Sequence, residues 1–213
     1  MPVFRRFVAI VILIGLSACA SPNLSVTAPT QALPSTQAAE PAPANSVINA
    51  NAVLHGAPAK PPSGYVAFCA RVPDQCAMPT NAPREINLTD DVWNTLEAVN
   101  TAFNKAIAPE DDRDHYGTTE YWTIPTDGYG DCEDYVVAKR QALIKAGLPA
   151  PALRIAVVFA PHFVRHAVLT VATDKGNYVL DNLRSGIVTW DKTGYAFIER
   201  QDPASSSGWV SLE

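Results

Sequence analysis

Three residues of this sequence have the types and the order that nucleophilic catalysis needs: Cys132, His166 and Asp181. Cys132 opens a predicted helix, where a thiol faces unpaired backbone N–H groups and the positive end of the helix dipole. His166 and Asp181 fall in two predicted neighbouring strands. A thiol activated by an imidazole, which a carboxylate orients, attacks carbonyl carbons. The alternative is an inert buried cysteine and a core histidine.

Acidic residues surround Cys132 and oppose its ionisation. Three carboxylates, Asp131, Glu133 and Asp134, are its neighbours. Each one at about 7 Å costs a thiolate roughly 0.6–2.4 kcal/mol, whereas the helix dipole returns only about 0.3–1 kcal/mol. A hard divalent cation would reverse this balance, and calcium is the natural candidate outside the cytoplasm. The sequence therefore predicts metal ligands at Asp131 and Glu133, with ordinary helix capping as the alternative, which we favour for Asp134.

The elements that must position these residues are two helices followed by strands. Apolar spacing predicts a helix over about 90–107, and an acidic first turn and Gly147 delimit a second helix that starts near Asp131. Apolar and β-branched runs predict strands at 153–160, 166–173 and 177–183, the last two forming an antiparallel hairpin. The acidic stretch 109–120 lacks EF-hand spacing and is predicted as a solvated loop. The order indicates an α+β fold with a central helix packed on an antiparallel sheet.

The register of the hairpin decides whether His166 reaches Asp181. A two-residue turn at Lys175-Gly176 would leave Asp181 four residues from the position opposite His166, roughly 13 Å along the strand. A direct hydrogen bond therefore requires a bulge or a shifted register.

Two further cysteines favour an exported protein. Cys69 and Cys76 stand seven residues apart with Pro73-Asp74 as a turn between them. In an exported chain such a pair predicts a disulfide. A zinc site is the alternative, although the sequence offers no histidine or further cysteine nearby.

The first 62 residues predict targeting and a tether. Residues 1–18 have a basic start and an apolar run of about nine residues, which is too short to span a bilayer. Leu16-Ser-Ala-Cys19 resembles the bacterial lipoprotein box, so we expect a signal peptide over 1–18 and lipidation of Cys19. A plain secretion signal is the alternative. Residues 19–62, rich in Ala and Pro, predict a flexible tether or an ordinary unstructured N-terminus, and residues 63–213 the folded domain.

Composition and charge exclude several classes of protein. The net charge of −5, from 16 basic and 21 acidic residues, leaves no basic face for nucleic acid. With 47% hydrophobic and 17% charged residues, the chain is neither a coiled coil nor a multi-span membrane protein. No polybasic segment follows Cys19, so the membrane would be contacted only through lipid. Ala20 after the cysteine resembles sorted lipoproteins, which predicts a periplasmic protein anchored to the outer membrane.

Two blocks of the sequence resemble the bacterial transglutaminase-like cysteine proteinases, the family that includes the LapG-type periplasmic adhesin proteases. The blocks contain Gly130-Asp-Cys-Glu-Asp-Tyr135 and, further on, His166-Ala-Val-Leu169 with Val179-Leu-Asp-Asn-Leu183. The resemblance runs from about Gly64 to the C-terminus. It implies a papain-like, transglutaminase-like fold, with Cys132 as nucleophile, His166 as base and later acid, and Asp181 as orienter. It also implies calcium near Asp131 and Glu133.

The function that the resemblance implies is that of a periplasmic, lipid-anchored cysteine endopeptidase that depends on calcium. Its substrate would be a cell-envelope or surface protein of the adhesin type. In the LapG-type branch an inner-membrane receptor for cyclic di-GMP sequesters the protease, which makes such a receptor a candidate partner. Two alternatives use the same residues: a transglutaminase or amidase acting on Gln side chains or peptidoglycan peptides, and a non-catalytic binding module.

Overall fold

The structure is a computed structural model that describes residues 56–205 and 208–212. The predicted signal peptide, Cys19 and most of the predicted tether lie outside the described residues. The helices are α1 (Ser63–Arg71), α2 (Pro73–Cys76), α3 (Asp90–Ala106), α4 (Asp112–Tyr116) and α5 (Cys132–Lys145). The strands are β1 (Pro58–Ala59), β2 (Ala108–Pro109), β3 (Tyr129–Gly130), β4 (Leu153–Ala160), β5 (Val164–Thr173), β6 (Gly176–Leu180), β7 (Val188–Thr189), β8 (Ala196–Gln201) and β9 (Trp209–Ser211).

Seven of these strands form one sheet in the order β1-β9-β8-β4-β5-β6-β7. Every neighbouring pair in it is antiparallel. β2 and β3 form a separate parallel pair that ends immediately before Asp131. The helices α1 to α5 precede the strands β4 to β9, which form most of the antiparallel sheet, and this order confirms the predicted α+β class.

The central helix is α5, which packs against β5 on one side and α3 on another. Nine of its 14 residues are buried, including Val136, Val137 and Leu143. A helix that is apolar around much of its circumference needs partners on more than one side. The sheet and α3 are these partners, which confirms the predicted packing of a central helix on the sheet.

The start of α3 agrees with the prediction, whereas the start of α5 agrees with it only in part. α3 begins where predicted, and Thr89 caps it by accepting a hydrogen bond from the backbone N–H of Val92 at 3.3 Å. α5 has Asp131 at its N-cap position, but this side chain makes no capping hydrogen bond. The predicted capping partner, Asp134, accepts the backbone N–H of Thr123 at 2.7 Å. A backbone hydrogen bond from Asp131, the N-cap residue, also lowers the pKa of Asp134 against the larger effect of burial, so this carboxylate contacts both the helix start and the segment at Thr123.

Two features complete the frame around the site. The predicted disulfide between Cys69 and Cys76 is present, with Cα atoms 5.7 Å apart, and it joins α1 to α2. β1 falls within the stretch that composition assigns to the tether, yet it pairs with Trp209 and Val210 of β9. Residues 56–62 thus pack with the domain. In the described part of the chain, no helix is both long and apolar enough to cross a bilayer.

The hairpin of β5 and β6 has a shifted register relative to the strict turn considered above. Thr173 pairs with Gly176 and Leu169 with Leu180, so the two-residue turn is Asp174-Lys175. Gly176 tolerates this turn because its φ of 119° suits a residue without a side chain. The shift moves the segment after Leu180 two residues closer to His166. The shift halves the separation of 13 Å to roughly 7 Å along the strand, and the two side chains make the contact from there.

Candidate active site

The thiol of Cys132 stands at the first position of α5 and opens onto a cleft of about 500 Å³. Its Sγ accepts the backbone N–H of Ala167 at 3.4 Å, and its S–H donates to Oε2 of Glu133 at 3.2 Å. Position 130, two residues before Cys132, requires glycine. A Cβ atom at this position would lie 2.8 Å from the side chain of Asp134. The bond to Ala167 places the sulfur beside the residue that follows His166.

His166 and Asp181 form the second part of the site. Nε2 of His166 lies 2.8 Å from Oδ1 of Asp181, and both side chains are buried. Burial raises the pKa of Asp181, but hydrogen bonds from His166 and Tyr195 outweigh it and lower the pKa below its ordinary value. Because an ionised carboxylate only accepts hydrogen bonds, Nε2 carries the proton. Nδ1 is then the ring nitrogen that can accept a proton.

Sequence reasoning did not identify the residues that hold Asp181. The hydroxyl of Tyr195 donates to Oδ2 of Asp181 at 2.6 Å, and its ring packs edge-on against His166, with the centroids 5.9 Å apart. From α3, Nδ2 of Asn104 donates to the backbone oxygens of Asp181 and Arg184 at 2.8 and 3.0 Å. Tyr195 and Asn104 lie at no regular sequence spacing from the β5–β6 hairpin. No local sequence pattern therefore predicts their contacts with Asp181.

A cluster of carboxylates lies beside the thiol, and it is wider than the sequence predicts. The predicted ligands Asp131 and Glu133 form one group with Cys132, in which the potential ligand atoms lie within 4.8 Å of one another. A second group, equally close, consists of Asp112, Asp131 and Asp134. Asp112 comes from the stretch 109–120, which was predicted as a solvated loop. Its short helix α4 instead carries the buried carboxylate into the site, where Asp112 accepts the backbone N–H of Tyr121.

Each member of the second group keeps one buried oxygen without a donor. Among the described residues, none gives a hydrogen bond to Oδ1 of Asp112, Oδ1 of Asp131 or Oδ2 of Asp134. Burial raises the pKa of Asp134 to about 8, and burial likewise raises the pKa of Asp131. Buried polar atoms are satisfied in nearly all proteins, so three such oxygens need a partner.

Calcium fits this group of oxygens. Its ligands in proteins are carboxylate and carbonyl oxygens, and several charged ligands are usual. Asp112, Asp131 and Asp134 supply three carboxylates from two parts of the chain. The described residues thus contain an acidic cluster that could hold a metal ion next to the nucleophile. Asp131 is the predicted ligand that belongs to both groups.

Without a cation, the surroundings of Cys132 favour the neutral thiol. Burial raises the pKa of Cys132 well above its ordinary value, and the charge of Glu133 raises it further. The N–H of Ala167 opposes these effects. Burial, followed by the hydrogen bond and charge of Asp131, raises the pKa of Glu133. The predicted electrostatic conflict at the thiol is therefore present in the fold.

The chain belongs to the bacterial transglutaminase-like cysteine proteinases (BTLCP), whose family profile matches residues 55–213. Solved structures of Legionella pneumophila LapG are also similar. One is 29% identical, covers 56% of this chain and 68% of that chain, and has a TM-score of 0.48. The calcium-bound LapG structure is 28% identical, with the same coverage and a TM-score of 0.49. No curated protein matches the chain.

Membership of this family confirms two predictions. The protein is a cysteine peptidase, and its fold is transglutaminase-like. A protease family also points to a protein substrate.

Proposed function

We propose that this protein is a calcium-dependent cysteine endopeptidase of the cell envelope, with Cys132, His166 and Asp181 as its catalytic triad. The observation that carries the proposal is the 2.8 Å contact between His166 and Asp181 beside a sulfur that bonds the next residue, Ala167. Cys132 comes from α5, His166 from β5, and Asp181 directly follows β6. Cys132 and His166 line one cleft, and Asp181 contacts His166, which is the arrangement that acyl transfer requires.

The reaction follows from the positions of these groups. Nδ1 of His166 takes the thiol proton while Sγ of Cys132 attacks the substrate carbonyl carbon. The backbone N–H of Cys132, at the start of α5, stabilises the oxyanion. His166 then gives the proton to the leaving amine, and a thioester remains on Cys132. Water, deprotonated by His166, hydrolyses the thioester and restores the thiol.

The proposed function of the acidic cluster is to bind calcium. Asp112, Asp131 and Asp134 would hold calcium, with Glu133 next to it. When bound, calcium supplies positive charge that offsets the carboxylates around the sulfur. Asp181 and Tyr195 meanwhile keep the imidazole in the tautomer that accepts the thiol proton.

The location and the natural substrate rest on the sequence. Residues 1–18 as a signal peptide and Cys19 as a lipidated residue would tether the domain to the outer membrane on its periplasmic side. By resemblance to the LapG-type branch, the proposed substrate is a large surface protein, and the proposed regulator is an inner-membrane receptor. Detection of an acylated N-terminal peptide by mass spectrometry, lost in Cys19→Ser, tests the anchor.

The catalytic proposal is tested by alkylation and by product analysis with the full chain. Iodoacetamide should label Cys132 faster with calcium than with EGTA, and Cys132→Ser should abolish both labelling and activity. Equal labelling with and without calcium would remove the metal from the proposal. Incubation with an envelope extract and an amine donor should yield new protein N-termini. Amine incorporation without new N-termini would identify a transglutaminase instead.

A further inference from the structure

A three-residue segment, 121–123, holds two carboxylates of the acidic cluster through its backbone. The N–H of Tyr121 donates to Oδ2 of Asp112. The N–H of Thr123 donates to Oδ1 of Asp134 at 2.7 Å. Each carboxylate thus gives one oxygen to the segment, and its other oxygen is a buried atom without a donor among the described residues. We call residues 121–123 the holding segment.

Arg71, the last residue of α1, fixes the backbone of the holding segment. Its Nη2 donates to the backbone oxygen of Trp122 at 2.6 Å, and its Cζ lies 4.4 Å from the centroid of the Tyr121 ring. The C=O of Trp122 and the N–H of Thr123 belong to one planar peptide group. Because Arg71 holds the oxygen of this group, it also sets the direction of the N–H that reaches Asp134.

The disulfide places Arg71 in a short closed loop. Cys69 and Cys76, which lie on either side of Arg71, are joined across a sequence separation of seven residues. The loop is also fixed to α5, because Nη1 of the buried Arg140 donates to the backbone oxygen of Gln75 at 2.6 Å. A covalently closed loop starts close to its binding conformation, so less freedom is lost when its side chain makes a contact.

The charge and the geometry of Arg71 have opposite effects on a cation in the acidic cluster. A guanidinium repels a nearby cation, so its charge alone would weaken calcium binding. Its contact with the holding segment aims Asp134, and removal of such a partner of a metal ligand typically costs about 10–100-fold in affinity. Arg71 is exposed, so solvent and salt screen its charge. We therefore expect the geometric effect to exceed the repulsion.

We propose that Arg71 is a positioning residue for the cation site, and that the disulfide between Cys69 and Cys76 raises the calcium affinity by holding Arg71 in place. This inference rests on the proposed function, since it concerns the calcium that the peptidase binds there. Disulfides of this kind form in oxidising compartments. A chain in a reducing compartment, where the loop stays open, therefore binds calcium more weakly than the oxidised protein.

The first test measures the calcium Kd of the full, calcium-free chain by isothermal titration calorimetry. Arg71→Met deletes the donor and the charge, and it should raise the Kd by about 10-fold or more. Arg71→Lys keeps the charge and a donor, and it should raise the Kd less. Arg84→Met is the matched control, since Arg84 is an exposed arginine outside α1 and the holding segment. A Kd that is unchanged or lower in Arg71→Met would overturn the inference.

Reduction with dithiothreitol tests the contribution of the disulfide. Reduction should raise the Kd of the wild type and have little further effect on Arg71→Met, because both changes remove the same constraint. An unchanged Kd in the reduced wild type, or an equal effect of reduction on both proteins, would overturn the role of the disulfide. If the reduced protein does not melt cooperatively, Arg71→Met with its disulfide intact decides.

Thermal melts in EGTA separate positioning from folding. Arg71→Met should melt cooperatively near the wild-type Tm, since Arg71 is exposed, while its calcium-induced shift in Tm falls. If Arg71→Met does not melt cooperatively, Arg71→Gln takes its place. An oxidised wild type that binds no calcium would refute the calcium dependence in the proposed function. A wild type that binds calcium no better than Arg71→Met would refute only the inference about Arg71.

Discussion

The site contains the carboxylate of Asp181 and a second group of carboxylates, and the two differ in their hydrogen bonding. Asp181 receives hydrogen bonds from His166, Tyr195 and the backbone of Leu183. The second group, Asp112, Asp131 and Asp134, keeps three buried oxygens for which the described residues provide no donor.

The pKa directions follow this difference. Burial raises the pKa of Asp131 and Asp134, whereas at Asp181 the hydrogen-bond donors outweigh burial and lower the pKa. A carboxylate that the protein itself satisfies stays ionised and orients its neighbour. Carboxylates left without donors need protons or a cation. This difference supports the proposed roles, orientation of His166 by Asp181 and cation binding by the second group.

The largest expected effect is on kcat and comes from a substitution of Asp181. Asp181→Asn should lower the kcat of peptide hydrolysis by about 10⁴-fold, the order known for this substitution in other triads, because the amide no longer holds the productive tautomer of His166. The exposed Asp191→Asn is the control for the loss of one carboxylate. A loss of less than 10-fold in Asp181→Asn would show that Asp181 does not orient the histidine.

The second prediction tests the other group through stability. Calcium at about 100 times its Kd should stabilise the fold by about 2.7 kcal/mol, which raises Tm by roughly 5–10 °C for a domain of this size. Asp134→Asn should abolish this shift, measured by calorimetry with calcium and with EGTA. Asp114→Asn, an exposed residue of the same acidic stretch, should keep it. An undiminished shift in Asp134→Asn would place the cation elsewhere.

The third prediction removes one donor from the satisfied group. Tyr195→Phe keeps the ring against His166 but deletes the hydrogen bond to Asp181. We expect kcat to fall by about 10-fold with KM unchanged, since a hydrogen bond to a charged group contributes about 1.5–3 kcal/mol. Tyr178→Phe controls for the loss of a hydroxyl in the sheet. A Tyr195→Phe enzyme with wild-type kcat would mean that the remaining donors suffice.

The smallest effect concerns the pH dependence of stability. In EGTA, the folded-state pKa of Asp134, about 8, lies above its unfolded value. Its contribution to stability is therefore present at low pH and is lost as the pH rises from about 4 through 8. Asp181, whose pKa is lowered, contributes in the opposite sense and loses its contribution in acid. Tm in EGTA should decline across neutral pH, and Asp134→Asn should flatten that decline. A flat wild-type profile would contradict the pKa contrast.

Much of the frame could be predicted because its signals are local. Thr89 and the apolar spacing after it define α3, and the Gly-Asp-Cys sequence marks the start of α5. The cysteine pair of one short loop predicts its own disulfide. In each case the residues that carry the signal lie within a few positions of the structure that they form.

The remaining parts depend on distant segments. Asp112 reaches the acidic cluster because α4 folds beside the start of α5, and no spacing links residue 112 to residue 131. Asp134 is predicted to cap the helix, since its sequence position suits a cap, but its contact with the backbone N–H of Thr123 depends on a segment outside the helix. The hairpin turn was misplaced by one residue, because adjacent turn-forming residues allow two registers.

The amino-acid sequence by itself determined which chemical groups this protein owns: one thiol at a helix start, an imidazole, and an excess of carboxylates around them. Only the tertiary structure decided which carboxylate oxygens receive hydrogen bonds and which buried ones, among the described residues, have no donor. Hydrogen-bond donors such as Tyr195 and Asn104 come from elements far apart in the chain. Their contacts exist only once the sheet and α3 have packed together.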